Sequence, residues 1–357
     1  MINDTKLLAM YLPQFHTIPE NDKWWGKGHT EWTSCKRAIP LFKNHNQPRI
    51  PYNGYYYNLL DENAQLKQVE IAKKYGIYGF CYYHYWFQGK LLLEKPAENM
   101  LNNKSIDLPF CFSWGNHTWI HSMSKNEVLI EQTYGGREDI LNHYNYLRPF
   151  FKDSRYILID NKPVFIIYSI VGIKDWGLMK KIWNELAKKD GFDGIYFIAT
   201  LTREGNIKQA EKMKFDAAFT YQPRFSINAT GRLDYTAYYY IKKRLFQKLS
   251  IPCKVDYRRV WKRILAFQDK SNIKIFYGAY PDWDTTARWN KSGEVHVNVD
   301  YDKYGKNLKE QIIKSRNENK EFLFITAWNE WSEGAYLEPD QKHEFKVLEE
   351  TKKALEE

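Results

Sequence analysis

The sequence predicts an α/β fold, a single (β/α)8 TIM barrel with elongated βα loops, and three observations lead there. Eight short apolar or β-branched runs recur through the 357 residues. Segments with helical periodicity separate them. No Pro/Gly/Ser linker, low-complexity tract or short-period repeat intervenes, so residues 1–357 are expected to form one catalytic barrel domain.

The strands are expected at Leu7 to Leu12, Ile77 to Tyr83, Phe110 to Ser113, Val164 to Tyr168, Ile195 to Thr200, Ala217 to Tyr221, Ile275 to Tyr280 and Phe322 to Ala327. Helices are expected at Glu62 to Tyr75, Leu92 to Leu101, Glu138 to Phe151, Asp175 to Lys189, Asn206 to Met213, Lys306 to Arg316 and His343 to Glu356. In the first of these, Leu66, Val69, Ile71 and Ala72 fall near a 3.6-residue period. The less regular stretches are Gln14 to Tyr57, Gly115 to Gly136 and Gln222 to Asn272. Loops after the carboxyl ends of barrel strands build the site, so the first two stretches are expected to wall a cleft.

Aromatic residues make up 17% of the chain, a supply of flat apolar faces with polar tips that suits sugar rings. Cys35, Cys81, Cys111 and Cys253 are widely spaced and show no zinc or disulfide pattern, so reduced thiols are expected. No basic leader precedes the first strand, and no run of about 18 apolar residues suggests a membrane span, so a cytoplasmic protein is expected. The net charge of +10 is uneven: Lys242 to Arg263 holds nine basic residues against the single acid Asp256. A solvated outer face explains such a run; peripheral contact with an anionic membrane at its inner face is the sharper reading. Nucleic acid is not expected, because no recognised binding motif accompanies the charge.

The polar and aromatic side chains gather where strands end. Tyr11, Pro13-Gln14-Phe15-His16, Tyr83-His84-Tyr85-Trp86, Trp114-Gly115-Asn116, Trp119, Tyr221-Gln222-Pro223-Arg224 and Asp282-Trp283-Asp284 all fall there. The last strand runs into Trp328-Asn329-Glu330-Trp331-Ser332-Glu333-Gly334, with two carboxylates three residues apart between indoles. Glycosidic cleavage needs a proton donor for the leaving oxygen and a second carboxylate, and Glu330 and Glu333 can fill these posts. The same spacing also occurs on the solvated face of a helical turn, where flanking tryptophans have no purpose. Candidate sugar-binding side chains are Tyr11, His16, Tyr83, His84, Trp86, Trp114, Asn116, Trp119, Tyr221, Trp283, Asp284, Trp328 and Trp331. A lone His16 or His84 packs and hydrogen-bonds as readily as it touches ligand.

The pieces Ala9-Met-Tyr-Leu-Pro-Gln-Phe-His16, Gly28-His-Thr-Glu-Trp32, Gly79-Phe-Cys-Tyr-Tyr-His-Tyr-Trp86, Pro109-Phe-Cys-Phe-Ser-Trp-Gly-Asn116 and Ala327-Trp-Asn-Glu-Trp-Ser-Glu-Gly334 resemble the WbsX-like family. That family is associated with bacterial surface-polysaccharide loci and is similar to glycoside hydrolase family 99, the endo-α-mannosidases and endo-mannanases. The resemblance adds Glu31 and Trp32 to the candidate sugar-binding residues. It implies that Glu330 deprotonates the sugar 2-hydroxyl, which attacks its own anomeric carbon, while Glu333 protonates the leaving oxygen and later deprotonates water, with overall retention. Neither metal nor cofactor is implied, and the expected partner is an oligosaccharide or polysaccharide. Ser332 stands where those hydrolases carry a bulkier His, so the resemblance does not carry mannose over as the sugar bound there, and the sugar's identity stays open.

Two other readings stay open. The family's association with glycosyltransferases makes Asp282-Trp283-Asp284 a literal Asp-x-Asp, the pattern that holds a divalent metal against a nucleotide-sugar diphosphate. A non-catalytic glycan-binding barrel would use the aromatics alone.

Overall fold

Apolar runs buried on both faces require a filled interior on one side and a helical layer on the other, which parallel strands supply. The computed structural model describes residues 4–121, 127–228 and 233–356. In it all eight expected runs are strands: β1 Lys6–Tyr11, β2 Ile77–Phe87, β3 Phe110–Trp114, β4 Lys162–Ile167, β5 Tyr196–Leu201, β6 Ala217–Thr220, β7 Lys274–Ala279 and β8 Phe322–Ile325. Each pairs in parallel with its sequence neighbours. β1 pairs with both β2 and β8, and this closes the ring into a (β/α)8 TIM barrel.

The expected helices form close to their predicted bounds, as at Glu62–Lys74, Gly136–Phe151 and Trp176–Lys189. One boundary matters for the site. β2 was expected to end at Tyr83 but continues to Phe87, because its aromatic run suits a strand and Lys90–Leu92 folds back to pair with Tyr85–Phe87. The alternation of side chains therefore continues through His84 and Trp86.

The irregular stretches carry structure of their own. Gln14 to Tyr57 contains short helices at Pro19–Trp25 and Glu31–Arg37. In Gly115 to Gly136, Trp119–Ile120 pairs antiparallel with Val128–Ile130, and residues 122–126 lie outside the described residues. Gln222 to Asn272 holds helices at Leu233–Lys248 and Tyr257–Ala266 joined through a strand, Cys253–Asp256, that pairs with Glu294–Val297; residues 229–232 are likewise outside. The four cysteines are free thiols and all are buried. Among the described residues no helix is long and apolar enough to cross a membrane.

The layer between barrel and helices is largely aromatic. Trp183 of helix Trp176–Lys189 packs 4.9 Å from Phe165 and 5.1 Å from His143, ring centre to ring centre. Where β6 meets β7, backbones approach so closely that a Cβ on Gly278 would stand 1.9 Å from the Thr220 carbonyl oxygen. Gly278→Ala is expected to cost about 2–4 kcal/mol by thermal or urea unfolding. Gly177→Ala, on a helix with nothing within 4 Å of the added Cβ, is expected to be neutral or stabilising by up to about 1 kcal/mol.

Candidate active site

β8 delivers its carboxyl end into a small hairpin. Asn329 pairs with Tyr336 and Glu330 with Ala335, and a tight turn at Trp331–Glu333 joins them. Gly334 completes the turn at φ +63°, where a Cβ would lie 2.8 Å from Asp284 Cβ and 3.1 Å from Arg49 Cζ, so only glycine fits. The hairpin is tied to three neighbouring elements. The Asn329 side chain accepts from the Leu12 N–H at 2.7 Å and donates to the Leu12 carbonyl at 3.0 Å. The Ser332 N–H donates to Glu31 Oε1 at 2.8 Å, and the Asp284 N–H donates to the Glu333 carbonyl at 2.7 Å.

Both glutamates face a cavity of about 480 Å3 at this end of the barrel. Arg288, on the short helix Thr286–Trp289 after β7, organises its charges. It donates to Glu333 Oε1 at 2.5 Å, to Ser332 Oγ at 3.1 Å and to Glu31 Oε2 at 3.4 Å. Glu330 is only 5% exposed. Burial, reinforced by the neighbouring Glu333 charge, pushes its carboxyl up to about 8, although Arg288 and the Tyr83 hydroxyl work the other way. At neutral pH the cavity therefore holds one neutral carboxyl beside one that is ion-paired. Tyr83 and Tyr221 share a hydrogen bond of 3.0 Å on the facing wall.

Of the candidate catalytic and sugar-binding residues, Glu31, Tyr83, Trp119, Tyr221, Trp283, Glu330 and Glu333 line this cavity. The others do not. Strand alternation sends Tyr82, His84 and Trp86 outward while Tyr83 and Tyr85 point in. His84 meets His143 at 2.8 Å and Trp86 stacks on the same ring at 4.6 Å, with its indole N–H on Asp139. Trp114 joins that cluster by donating to the Trp86 carbonyl. Tyr11 likewise turns outward, donating to Gln68 at 2.7 Å. His16 sits at the Pro13 carbonyl, and burial lowers its ring to about 4.

Asn116 clasps the Ser169 backbone from both sides, bracing two rim loops against each other. Trp32 donates to the Tyr57 carbonyl and packs 5.3 Å from Trp331, which itself stacks on Tyr336 at 3.9 Å. Trp331 also donates to Glu338, whose carboxyl burial lifts to about 7 against hydrogen bonds from Trp331, Gln68 and Tyr57. Trp328 is buried, 5.0 Å from Phe80. Asp284 is enclosed by His45 at 2.9 Å, Gln47 at 2.8 Å and Arg49 at 3.6 Å, and Asp282 takes Arg49 at 2.8 Å. Although burial opposes it, the His45 hydrogen bond and the Arg49 charge hold Asp284 down at about 2. The Asp-x-Asp thus anchors an arginine outside the cavity lining. Among the described residues no group of three His, Cys, Asp or Glu side chains is arranged to hold a metal ion.

Four residues outside the candidate set, Tyr85, Tyr168, Arg224 and Arg288, also line the cavity, although Tyr85 and Arg224 lie in the strand-end pieces named above. Alternation from Tyr83 was the available signal for Tyr85. Nothing local in the sequence marks Arg288 apart from other surface arginines.

The sequence profile of the family described as Glycosyltransferase WbsX matches residues 7–351. WxcX of Xanthomonas campestris pv. campestris, described as uncharacterized, is 30% identical over 357 residues that cover 98% of this chain and 49% of WxcX. The chain thus spans about half the length of the curated relatives it matches. A GH99 endo-α-mannosidase from Bacteroides thetaiotaomicron has a TM-score of 0.60 at 15% identity, covering 98% of this chain and 96% of that one. A glycoside hydrolase-like protein has a TM-score of 0.61 at 13% identity, with coverages of 99% and 94%. At these identities the likeness is one of fold.

Because the folded chain keeps the Glu330 proton to about pH 8 while an unfolded glutamate releases it near pH ~4.3, stability should fall as pH rises across that window. Glu330→Gln removes this share of the decline, leaving the share of Glu338. The variant's Tm should match or exceed that of wild type above pH 8, measured by calorimetry. A Tm lower than wild type there would show that Glu330 is not a buried neutral acid.

Proposed function

The chain belongs to the glycosyltransferase WbsX family, and from that membership and the cavity's chemistry we propose that it is a carbohydrate-active enzyme. It acts on glycosidic bonds of a bacterial surface polysaccharide or its precursor. The observation that carries this reading is the pairing of Glu330, held neutral by burial, with Glu333, ion-paired to Arg288, in one aromatic-walled cavity. Such a pair has one proton to give and one carboxylate to take it.

The chemistry proceeds with retention. Glu330 takes the proton of the sugar 2-hydroxyl, O2 attacks the anomeric carbon, and the bond to the leaving oxygen breaks as Glu333 protonates it. Water then opens the anhydro sugar, giving its proton to Glu333 while Glu330 returns its proton to O2. In the unliganded cavity the proton rests on Glu330, so substrate binding must move it to Glu333. Arg288, which touches Glu333 and faces Glu330, is the group whose displacement allows the transfer. Residues around the reacting ring are Glu31, Tyr83, Trp119, Tyr221 and Trp283. The family's description favours a second outcome in the same site, with an acceptor hydroxyl in place of water.

Docking at the inner membrane face accompanies this reading. Helix Leu233–Lys248 and the residues after it expose Tyr238, Ile241, Leu245 and Leu249, a stripe at helical spacing. Arg244, Lys248, Arg259 and Lys262 are exposed nearby, whereas Lys242 and Arg263 are bound to the Lys254 and Ser226 carbonyls. An apolar stripe beside surplus cations suits anionic lipid.

Three outcomes test the proposal. Glu333→Gln should lose orders of magnitude of turnover on an unactivated glycan but retain activity on an activated aryl glycoside, which needs no acid. Glu330→Gln should lose both, and the reverse pattern would exchange the roles. For wild type, kcat/KM should fall above about pH 8, where the pair has lost its last proton; a flat profile to pH 10 would contradict it. Liposome co-sedimentation should rise with anionic lipid, fall with salt and drop in Ile241→Ser/Leu245→Ser; indifference to lipid charge at low salt would refute docking.

A further inference from the structure

A second cavity, of about 700 Å3, adjoins the first and shares Arg37, Arg224, Arg288 and Trp289 with it. Its charge is unbalanced. Arg288 is engaged by Glu333 and Glu31. That leaves Arg37, Arg224 and Lys243 around a single carboxylate, Glu294. Arg224 and Lys243 approach the same Glu294 oxygen at only 3.4 Å and 3.8 Å, and that oxygen already accepts from the Tyr239 hydroxyl. The other oxygen faces His296 at 3.4 Å. Among the described residues no carboxylate lies within 4 Å of Arg37, whose nearest polar partner is Ser34 Oγ at 3.5 Å. Three cations gathered on one partly enclosed cavity repel one another, and a single shared carboxylate does not neutralise them.

Arg224 also connects this surplus to the reacting sugar. Its guanidinium lies 5.0 Å over the Trp283 ring and lines both cavities. A group bound between Arg37, Arg224 and Lys243 would share the Arg224 wall with the cavity that holds the carboxylate pair. Guanidinium groups there offer paired N–H donors to an oxyanion, and Gln247 and Ser292 add neutral polar groups to the wall.

We propose that the second cavity binds an oxyanion, phosphate or carboxylate, carried by the glycan substrate, so that the enzyme selects acidic glycans or diphosphate-linked ones. The word glycan rests on the function proposed above; the binding of the anion does not. Two sources supply this chemistry: the diphosphate of a lipid-linked precursor, and an acidic sugar or phosphate substituent along the chain.

The test is a calorimetric or NMR titration of the full chain with inorganic pyrophosphate and, separately, D-glucuronate at low ionic strength. At least one should bind saturably. Lys243→Gln and Arg37→Gln, on different helices, should each weaken binding by about tenfold, the loss of one charge-assisted contact, while Glu330→Gln leaves it unchanged. Pyrophosphate alone binding assigns the diphosphate source; glucuronate alone assigns the acidic sugar. Absence of saturable binding by both probes overturns the proposal. So does binding indifferent to both substitutions in variants that melt like wild type. Loss of the sugar chemistry with intact anion binding would defeat the proposed function alone, and the converse would defeat only this inference.

Discussion

The meeting of Glu31, Glu330 and Glu333 at Arg288, on the wall of the cavity, sets the terms for the whole rim. Glu31, Glu330 and Glu333 all face Arg288, which ion-pairs with Glu31 and Glu333 and leaves Glu330 without a direct ion pair. Burial, reinforced by the neighbouring Glu333 charge, makes Glu330 the member that keeps its proton, to about pH 8. A proton retained at neutral pH next to an ion-paired carboxylate is what acid–base chemistry on a glycosidic oxygen requires.

Such an arrangement works only if the carboxyl groups cannot move apart, and the surrounding backbone sees to this. The hairpin after β8 is held to the end of β1 by Asn329, to helix Glu31–Arg37 by Ser332 and to the segment after β7 by the Asp284 N–H. Asp284 is itself held by His45, Gln47 and Arg49, and Trp331 by Glu338. Several residues with the look of ligand groups are therefore supports: they fix the angle at which the glutamates enter the cavity without touching it.

The barrel was legible because its strands are short, apolar and regularly spaced, a pattern that no other common fold repeats eight times. The glutamate pair was legible because indoles flank it at a strand end. Orientation was harder to read. His84 and Trp86 look like rim groups only if β2 stops at Tyr83; four more residues of strand turn them outward toward His143 and Asp139, while Tyr85 turns in. The Asp-x-Asp carries no mark of its partner Arg49, more than 230 residues away in sequence. Arg224 and Arg288 gain their meaning only from carboxylates that the fold brings beside them.

The protonation of Glu330 is the point on which this account turns, and titrating glutamate Cδ carbons by 13C NMR observes it directly. One resonance should titrate near pH 8, vanish in Glu330→Gln, and move to lower pH in Glu333→Gln as the neighbouring charge is removed. If the resonance lost in Glu330→Gln titrates instead in the ordinary carboxylate range, near pH ~4.3, the cavity has no neutral acid in its resting state, and the pairing of a neutral Glu330 with an ion-paired Glu333 that carries the proposed function fails.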